Sequence, residues 1–380
     1  MTLNLNEEQV SIQQLARDLA QKEFKPLAHE LDETGRFPAE NVKKLAETGL
    51  MGLNVPEAYG GVNLDEICKV LVIEEVAKAC SNTAEMYAVH LLVNNIIATH
   101  GNEEQKKKYL TMACEGKLGA FALTEPNAGS DASGLRTRAI ADGDDYIING
   151  TKCFISNMGP EEGDYVVLIA LTDPDKGTKG MTAFMIDRDT PGFSVGKSEN
   201  KMGIRAAAVS ELILQDVRVP KSAILGKEGQ GFKIAMSGLD GGRVGIAAQA
   251  CGLAEAALEA AIAYSGERVQ FGKPINANQG IQWYLADMAT RLEAAKLLAL
   301  KAAHARDNKD PKVSMYCSMA KYYASETAVW ICNKALQIHG GYGYMKEYDI
   351  ERLYRDVRII PLYEGTSEVQ KMVISKSLIK

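Results

Sequence analysis

Glu364 is the carboxylate in this chain whose surroundings best suit proton chemistry. It follows Pro361-Leu362-Tyr363 and precedes Gly365-Thr366-Ser367-Glu368. Desolvation beside these aromatic and aliphatic neighbours would raise its pKa toward the range of a general base. The same segment also reads as the cap of a last helix, with Thr366 closing its N-terminus and Glu364 in solvent. Gln337 to Tyr344, with Gly340 and Gly341, ends an alanine-rich helix with glycines that permit close backbone approach to a ligand, or that simply stop the helix. Asp240-Gly241-Gly242-Arg243 puts a fixed cation beside an apparent helix start, where backbone amides favour anions. Phe121 to Asp131, a stretch of hydroxyls, amides and glycine around Leu123, Thr124, Gly129 and Ser130, suits a heteroaromatic ring, a phosphate or an ordinary turn. The five histidines show no ligand spacing, and the seven cysteines form no CxxC and lie mostly in apolar runs. A metal is therefore not expected, and the thiols read as small hydrophobes.

The elements that must position these groups follow from proline placement, because an interior proline breaks a helix. Pro126, Pro160, Pro174, Pro191 and Pro220 crowd the middle, whereas only Pro274 and Pro311 interrupt residues 221 to 360. The spacing of Cys251, Ala254, Leu258 and Ala261 predicts a buried-face helix over Ala247 to Tyr264, and Ala328, Ile331, Ala335 and Ile338 predict another. Helices are also expected over Glu7 to Glu23, Ala39 to Thr48 and Glu75 to His90. Strands are expected at Tyr165 to Leu171, Met181 to Ile186 and Ser210 to Val219, with a hairpin turning at Asn149-Gly150. The division is thus 1–117 helical, 118–225 β and 226–380 helical. That order disfavours a doubly wound α/β enzyme, and no GxGxxG or GxxxxGK[ST] follows a predicted strand.

With 380 residues, 46% hydrophobic and 24% charged, the chain suits a multidomain globular protein. A net charge of −6 gives no global attraction to nucleic acid or anionic lipid, although local phosphate sites remain open. The polar, acidic start, Met1 to Gln9, lacks a signal or transit pattern, so a cytoplasmic protein without membrane insertion is expected.

In chain order the sequence resembles the acyl-CoA dehydrogenase family, in its short-chain, butyryl-CoA-like branch. The resemblance spans nearly the whole chain. It rests on Pro56 to Gly61, Leu123-Thr124-Glu125-Pro126, Phe154-Ile155-Ser156-Asn157, Arg268-Val269-Gln270-Phe271-Gly272, Gln337 to Tyr344 and Tyr363 to Gln370. It implies an α+β multidomain fold: an N-terminal helical domain, a middle β-barrel or sandwich-like domain and a C-terminal four-helix bundle. It implies bound FAD, a homotetramer and electron-transfer flavoprotein as acceptor. Glu364 would remove the α-proton of an acyl-CoA while hydride leaves Cβ for flavin N5. Phe121, Leu123, Thr124, Gly129, Ser130, Phe154, Ile155 and Ser156 would lie along FAD. Arg268, Phe271, Gln279, Gln337, Gly340 and Gly341 would contact FAD across a subunit interface, and Thr366 and Glu368 would touch the dinucleotide. Asn278 departs from the aromatic residue often found before the matching glutamine, which weakens Gln279. Ser130, Asp240, Arg243, Tyr363 and Gly365 would meet the acyl-CoA.

In that family the helix matching Thr83 to Ile96 closes the acyl pocket. Ala84, Ala88 and Leu91 share one face of it, while Glu85, Tyr87 and His90 are unusual for the butyryl branch. These three pack at a helix or subunit contact, or they shape a pocket for a branched or cyclic acyl group, for example a cyclohexane-type one. Residues 81 to 101 hold no Arg or Lys, which disfavours a dicarboxyl substrate. The expected reaction is dehydrogenation of a short or compact acyl-CoA to the 2-enoyl-CoA. An oxygen-reactive oxidase and a non-catalytic flavin or acyl-CoA-binding subunit are the competing readings.

Overall fold

The computed structural model describes residues 5–379, so the first four residues of the N-terminal stretch lie outside it. Helices α1 (Glu7–Leu19), α2 (Ala28–Thr34), α3 (Ala39–Glu47), α4 (Glu66–Ala79) and α5 (Ser81–His100) come first, followed by short α6 (Glu103–Gln105) and α7 (Thr111–Cys114). The α1 N-terminus is closed by a capping box between Asn6 and Gln9. The helix expected over Glu75 to His90 is in fact two. Cys80 is extended (φ −151°, ψ 105°) and separates α4 from α5. No proline or glycine marks this break, which is held by tertiary bonds from Ala206 N–H to Asn82 and from Gln249 to Ser81.

The middle region contains β1 (Gly119–Ala122), β2 (Arg138–Asp142), β3 (Asp145–Ser156), β4 (Tyr165–Leu171), β5 (Met181–Asp187), β6 (Phe193–Ser198), β7 (Val209–Pro220) and β8 (Ile224–Leu225). Their order is β6-β7-β3-β2-β4-β5-β8, with β1 beside β4. The β2–β4 pairing is a single register pair, Arg138 with Leu171, so two half-sheets meet there and enclose a core. Val166, Leu168 and Ala170 of β4 face that core, while Tyr165, Val167 and Ile169 face a second one shared with α5. Burial of both faces explains the uninterrupted apolar run of β4.

Asn149-Gly150 does not turn the chain. β3 continues through it, with a register shift against β7 between Ile148 and Gly150, and the hairpin lies earlier, at Gly143-Asp144 between paired Asp142 and Asp145, with Gly143 at φ 64°. Asn149 is instead paired with Arg138 and bonds across to Asp216, and a Cβ at Gly150 would stand 2.5 Å from Thr137 Oγ1. Close strand packing, not turn geometry, requires that glycine.

The last region holds α8 (Gly231–Glu267), short β9 (Val269–Gln270) and β10 (Lys273–Pro274), α9 (Gln279–Asp307), α10 (Val313–His339), α11 (Ile350–Val357) and α12 (Ser367–Leu378). α8 runs through the centre, packed against α4, α5, α9 and α10. By length and composition it could cross a membrane, but most of its apolar window is buried inside the protein. Asp240 to Arg243 lie within α8, which begins at Gly231, so the helix start expected there is corrected. The glycines that suggested a terminus serve close packing; a Cβ at Gly241, for instance, would meet Arg306 Nη2 at 2.9 Å.

Candidate functional site

A cavity of about 850 Å³ opens where α5, the β sheet, the start of α8 and the segment after α11 meet. Glu364 enters it from a backbone turn that side chains rarely adopt. Glu364 has φ 50° and Gly365 has φ 94°. A left-handed non-glycine residue costs roughly 1–2 kcal/mol, so the surroundings must enforce it. Lys321 Nζ donates to Gly365 O at 2.8 Å, and Gln370 Nε2 donates to Gly365 O at 2.9 Å and to Glu364 O at 3.2 Å. Thr366 caps α12 by accepting from Val369 N–H, as the sequence suggested, and Tyr363 Oη donates to Gln249 at 2.5 Å.

The solvent-facing alternative for Glu364 is corrected by its Oε2, which is buried and has no hydrogen-bond partner. It lies over the bare Cα of Gly242, where a Cβ would stand 2.0 Å away. Burial pushes the carboxyl up to about 7, with Lys321, Arg243 and Lys69 pulling the other way and Glu85 adding to the rise. Burial likewise pushes Lys321 down to about 8, opposed chiefly by Glu364.

Phe121, Leu123, Thr124, Gly129 and Ser130 form one wall, with Phe154, Ile155 and Ser156 beside them. A buried ion pair shapes this wall. Glu125 accepts from the backbone N–H groups of Arg136 and Thr137 and from Lys152 Nζ at 2.8 Å, and Lys152 also holds Leu123 O at 3.0 Å. Phe154, at φ 57°, remains 65% exposed although it sits within the cavity. A Cβ on Gly129 would meet nothing within 4 Å. Tyr363, Gly365, Thr366 and Arg243 complete the lining. Asp240 does not reach it; it pairs with Arg243 at 2.7 Å and with Ser314. Glu368 is exposed outside the cavity.

The face of α5 that borders the cavity is Glu85, Val89 and Leu92. Ala84, Ala88 and Leu91, the face expected there, pack into the main core. Tyr87 and His90 also point away. Tyr87 Oη donates to Leu50 O at 2.8 Å, and the His90 ring bonds to Met51 O at 3.0 Å, its pKa pushed down to about 4 by burial. The three unusual residues therefore divide, two packing against the chain at residues 50 and 51 and one lining the cavity.

A second, open cleft of about 510 Å³ gathers Arg268, Gly340, Gly341, His339 and Tyr342. The Arg268 guanidinium lies 5.0 Å from the Tyr342 ring centroid. Phe271, Gln279 and Gln337 fall outside it on the surface, and Phe271 is 98% exposed. Among the described residues no cluster of three or more His, Cys, Asp or Glu is placed to hold a metal, and all seven cysteines are unpaired.

Lys321, Gln370, Gln249 and the Glu125–Lys152 pair escaped the sequence reading. Lys321 carried a faint signal, a lone cation in the apolar run Met319-Ala320-Lys321-Tyr322 of a buried helix.

Family models match the chain in series: acyl-CoA dehydrogenase N-terminal domain over residues 6–117, middle domain over 120–217 and C-terminal domain over 229–379. Acryloyl-CoA reductase (NADH) of Anaerotignum propionicum is 49% identical over 383 residues, covering 100% of this chain and 96% of that protein. Butyryl-CoA dehydrogenase of Megasphaera elsdenii superposes with a TM-score of 0.97 at 44% identity, covering both chains completely. A structure from work on the electron transferring flavoprotein of Acidaminococcus fermentans and flavin-based electron bifurcation matches with the same score, identity and coverage.

Proposed function

The chain belongs to the acyl-CoA dehydrogenase family, and from that premise we propose that it is an FAD-dependent enzyme in which Glu364 moves the α-proton of a short or compact acyl-CoA. The observation that carries this is the Glu364 carboxyl, buried and unpartnered at Oε2 over Gly242 and held by a strained turn. A carboxyl with a pKa near 7 suits both abstraction and return of a proton near neutrality.

The cavity has a size typical of ligand sites and leaves an aromatic face, Phe154, and an open glycine, Gly129, uncovered inside it. Those features fit a flat heteroaromatic cofactor. Phe121, Leu123, Thr124, Gly129, Ser130, Phe154, Ile155, Ser156 and Thr366 would hold FAD, which when bound supplies the hydride acceptor. The protein's part is positional and electrostatic. Lys321 and Gln370 fix the turn that aims Glu364, Tyr363 is anchored on Gln249, and Lys152 with Glu125 sets the wall at Leu123 and Thr124. Lys321, Arg243 and Lys69 favour the ionised carboxylate that accepts the α-proton. We assign the Glu364 backbone N–H to the thioester oxygen, and Ser130 and Arg243 to the CoA side. Arg268, Phe271, Gln279, Gln337, Gly340 and Gly341 we assign to cofactor contact between subunits of a homotetramer, with Glu368 beside the dinucleotide. Electron-transfer flavoprotein is the acceptor, and a cytoplasmic location goes with this reading.

The test is anaerobic addition of straight, branched and cyclic acyl-CoAs to the pure holoenzyme. Bleaching of the flavin by at least one of them is expected. A holoenzyme that none can reduce would instead be a binding subunit, and rapid reoxidation of the bleached flavin by oxygen would mark an oxidase.

A further inference from the structure

Glu85 is a second carboxyl in the same cavity, and the α-proton chemistry does not use it. Its residue is only 3% exposed. Oε1 accepts from Ser156 Oγ at 2.5 Å, but Oε2 has no partner. On its own helix it is followed toward the cavity by Val89 and Leu92, which offer nothing polar. Leaving a buried acceptor unmet is costly, whereas the Tyr87 hydroxyl on the same helix finds a backbone carbonyl. The terminal torsion of a glutamate is broad and nearly two-fold, so the side chain presents either oxygen to a newcomer at little cost.

Resting on the dehydrogenase reading above, we propose that Glu85 is a specificity-determining residue that accepts a hydrogen bond from a hydroxyl group carried on the acyl chain of the substrate. The neighbouring wall decides between a neutral and a cationic donor. Lys201 lines the same cavity, its Nζ donating to Ala207 O at 2.8 Å and to Arg205 O at 3.3 Å, and its charge is felt by Glu85. A cation on the same wall is thus within electrostatic reach of the carboxyl without pairing with it, and an ammonium-bearing chain would add a like charge. Burial also pushes the Glu85 carboxyl up, which further disfavours a site built for ionic pairing. A hydroxyl meets the free oxygen without either conflict. The buried carboxyl equally disfavours a purely hydrocarbon chain end, which would leave it unmet.

The test uses oxidised holoenzyme and 2-enoyl-CoAs of four to six carbons ending in a hydroxyl, an ammonium or a methyl group, with binding read from the perturbation of the flavin spectrum. The hydroxyl chain is expected to bind about tenfold tighter than its methyl isostere. Glu85→Leu should invert that order, and the isosteric Glu85→Gln should keep part of it by retaining an acceptor. Equal weakening of both ligands in Glu85→Leu would reduce Glu85 to a packing residue and overturn the proposal. Tighter binding of the ammonium chain would overturn the neutral-donor assignment. Wild-type enzyme bleached by an unsubstituted saturated acyl-CoA, yet blind to the hydroxyl, would sink only the Glu85 proposal. Failure of every saturated acyl-CoA to bleach it would sink the dehydrogenase reading itself.

Discussion

The central cavity and the outer cleft both carry residues expected to meet one cofactor, yet they are finished to different degrees by a single chain. In the cavity the unusual backbone turn that carries the carboxyl has an intramolecular reason. Glu364 and Gly365 are clamped by Lys321 and Gln370, and Gly242 is bare because Glu364 Oε2 occupies the space of its Cβ. At the cleft the glycines face nothing: a Cβ on Gly340 or Gly341 has no neighbour within 4 Å. Phe271, Tyr344 and Trp283 nearby in sequence stand 98%, 80% and 62% exposed. Exposed aromatics and unexplained glycines are what a surface looks like when its other half comes from outside the chain. The cavity therefore should fail through chemistry when altered, and the cleft through retention of what it holds.

The largest effect expected is at the cavity's carboxyl. Glu364→Gln keeps the shape but removes the base, and should slow acyl-CoA-dependent flavin bleaching by about 10³-fold or more while FAD stays bound. Normal bleaching in that variant would remove Glu364 from the reaction. Next is Gly242→Ala, whose methyl group would collide with Glu364 Oε2 and with Leu92 Cδ1 at 2.6 Å. Misplacing the carboxyl by about an ångström should slow bleaching by about 10²-fold. Gly245→Ala on the same helix meets only the ends of Ile73 and Ala88, at 3.3 and 3.7 Å, and is the matched control expected to bleach at near the native rate.

The same contrast explains what was legible beforehand. The three-part order could be read because proline and apolar period are local signals, and β4 was placed to the residue by its turn-bounded apolar run. Glu364 was legible as a candidate because its hydrophobic neighbours allowed burial, although the same segment also read as a solvent-facing cap; its burial over Gly242 is set by the fold. Gly242 was misread as part of a helix start, because its partner lies 122 positions away in sequence and only the fold brings the two together. Asn149-Gly150 failed for a related reason, a local turn preference overridden by pairing on both edges of β3. The face of α5 was misjudged by one residue, which on a helix is a rotation of about 100° and exchanges Ala84 for Glu85. Lys321 gave only the faint signal of a lone cation in an apolar run, because its partner Gly365 lies 44 positions away.

Lys321 offers a middle-sized test of the cavity's electrostatics. Glu364 is raised to about 7, so it is protonated below that pH and ionised above it. Bleaching by a saturated acyl-CoA needs the ionised form and should rise with pH through about 7, then level off. The reverse reaction, reduction of an enoyl-CoA, needs the protonated form and should fall across the same range. Lys321→Met removes the strongest cation favouring ionisation, so the rising limb should move to higher pH, costing about tenfold at pH 7 and much less at pH 9. A loss uniform in pH would make Lys321 a clamp on Gly365 and nothing more.

The smallest effect expected is at the cleft, from the substitution already applied to the cavity. Gly341→Ala adds a methyl group that touches nothing within the chain, and Gly341 does not occupy the left-handed region. Thermal stability of the cofactor-free chain should therefore change by no more than about 0.5 kcal/mol. If FAD or a second subunit comes up against this backbone, the same methyl group should weaken FAD retention a few-fold, measured by flavin released on gel filtration. Flavin that stays bound should still bleach, because the methyl group lies in the cleft and not beside Glu364. Unchanged retention would mean that the glycines only end α10, and the distinction between a finished cavity and a cleft awaiting its other half would be lost at this position.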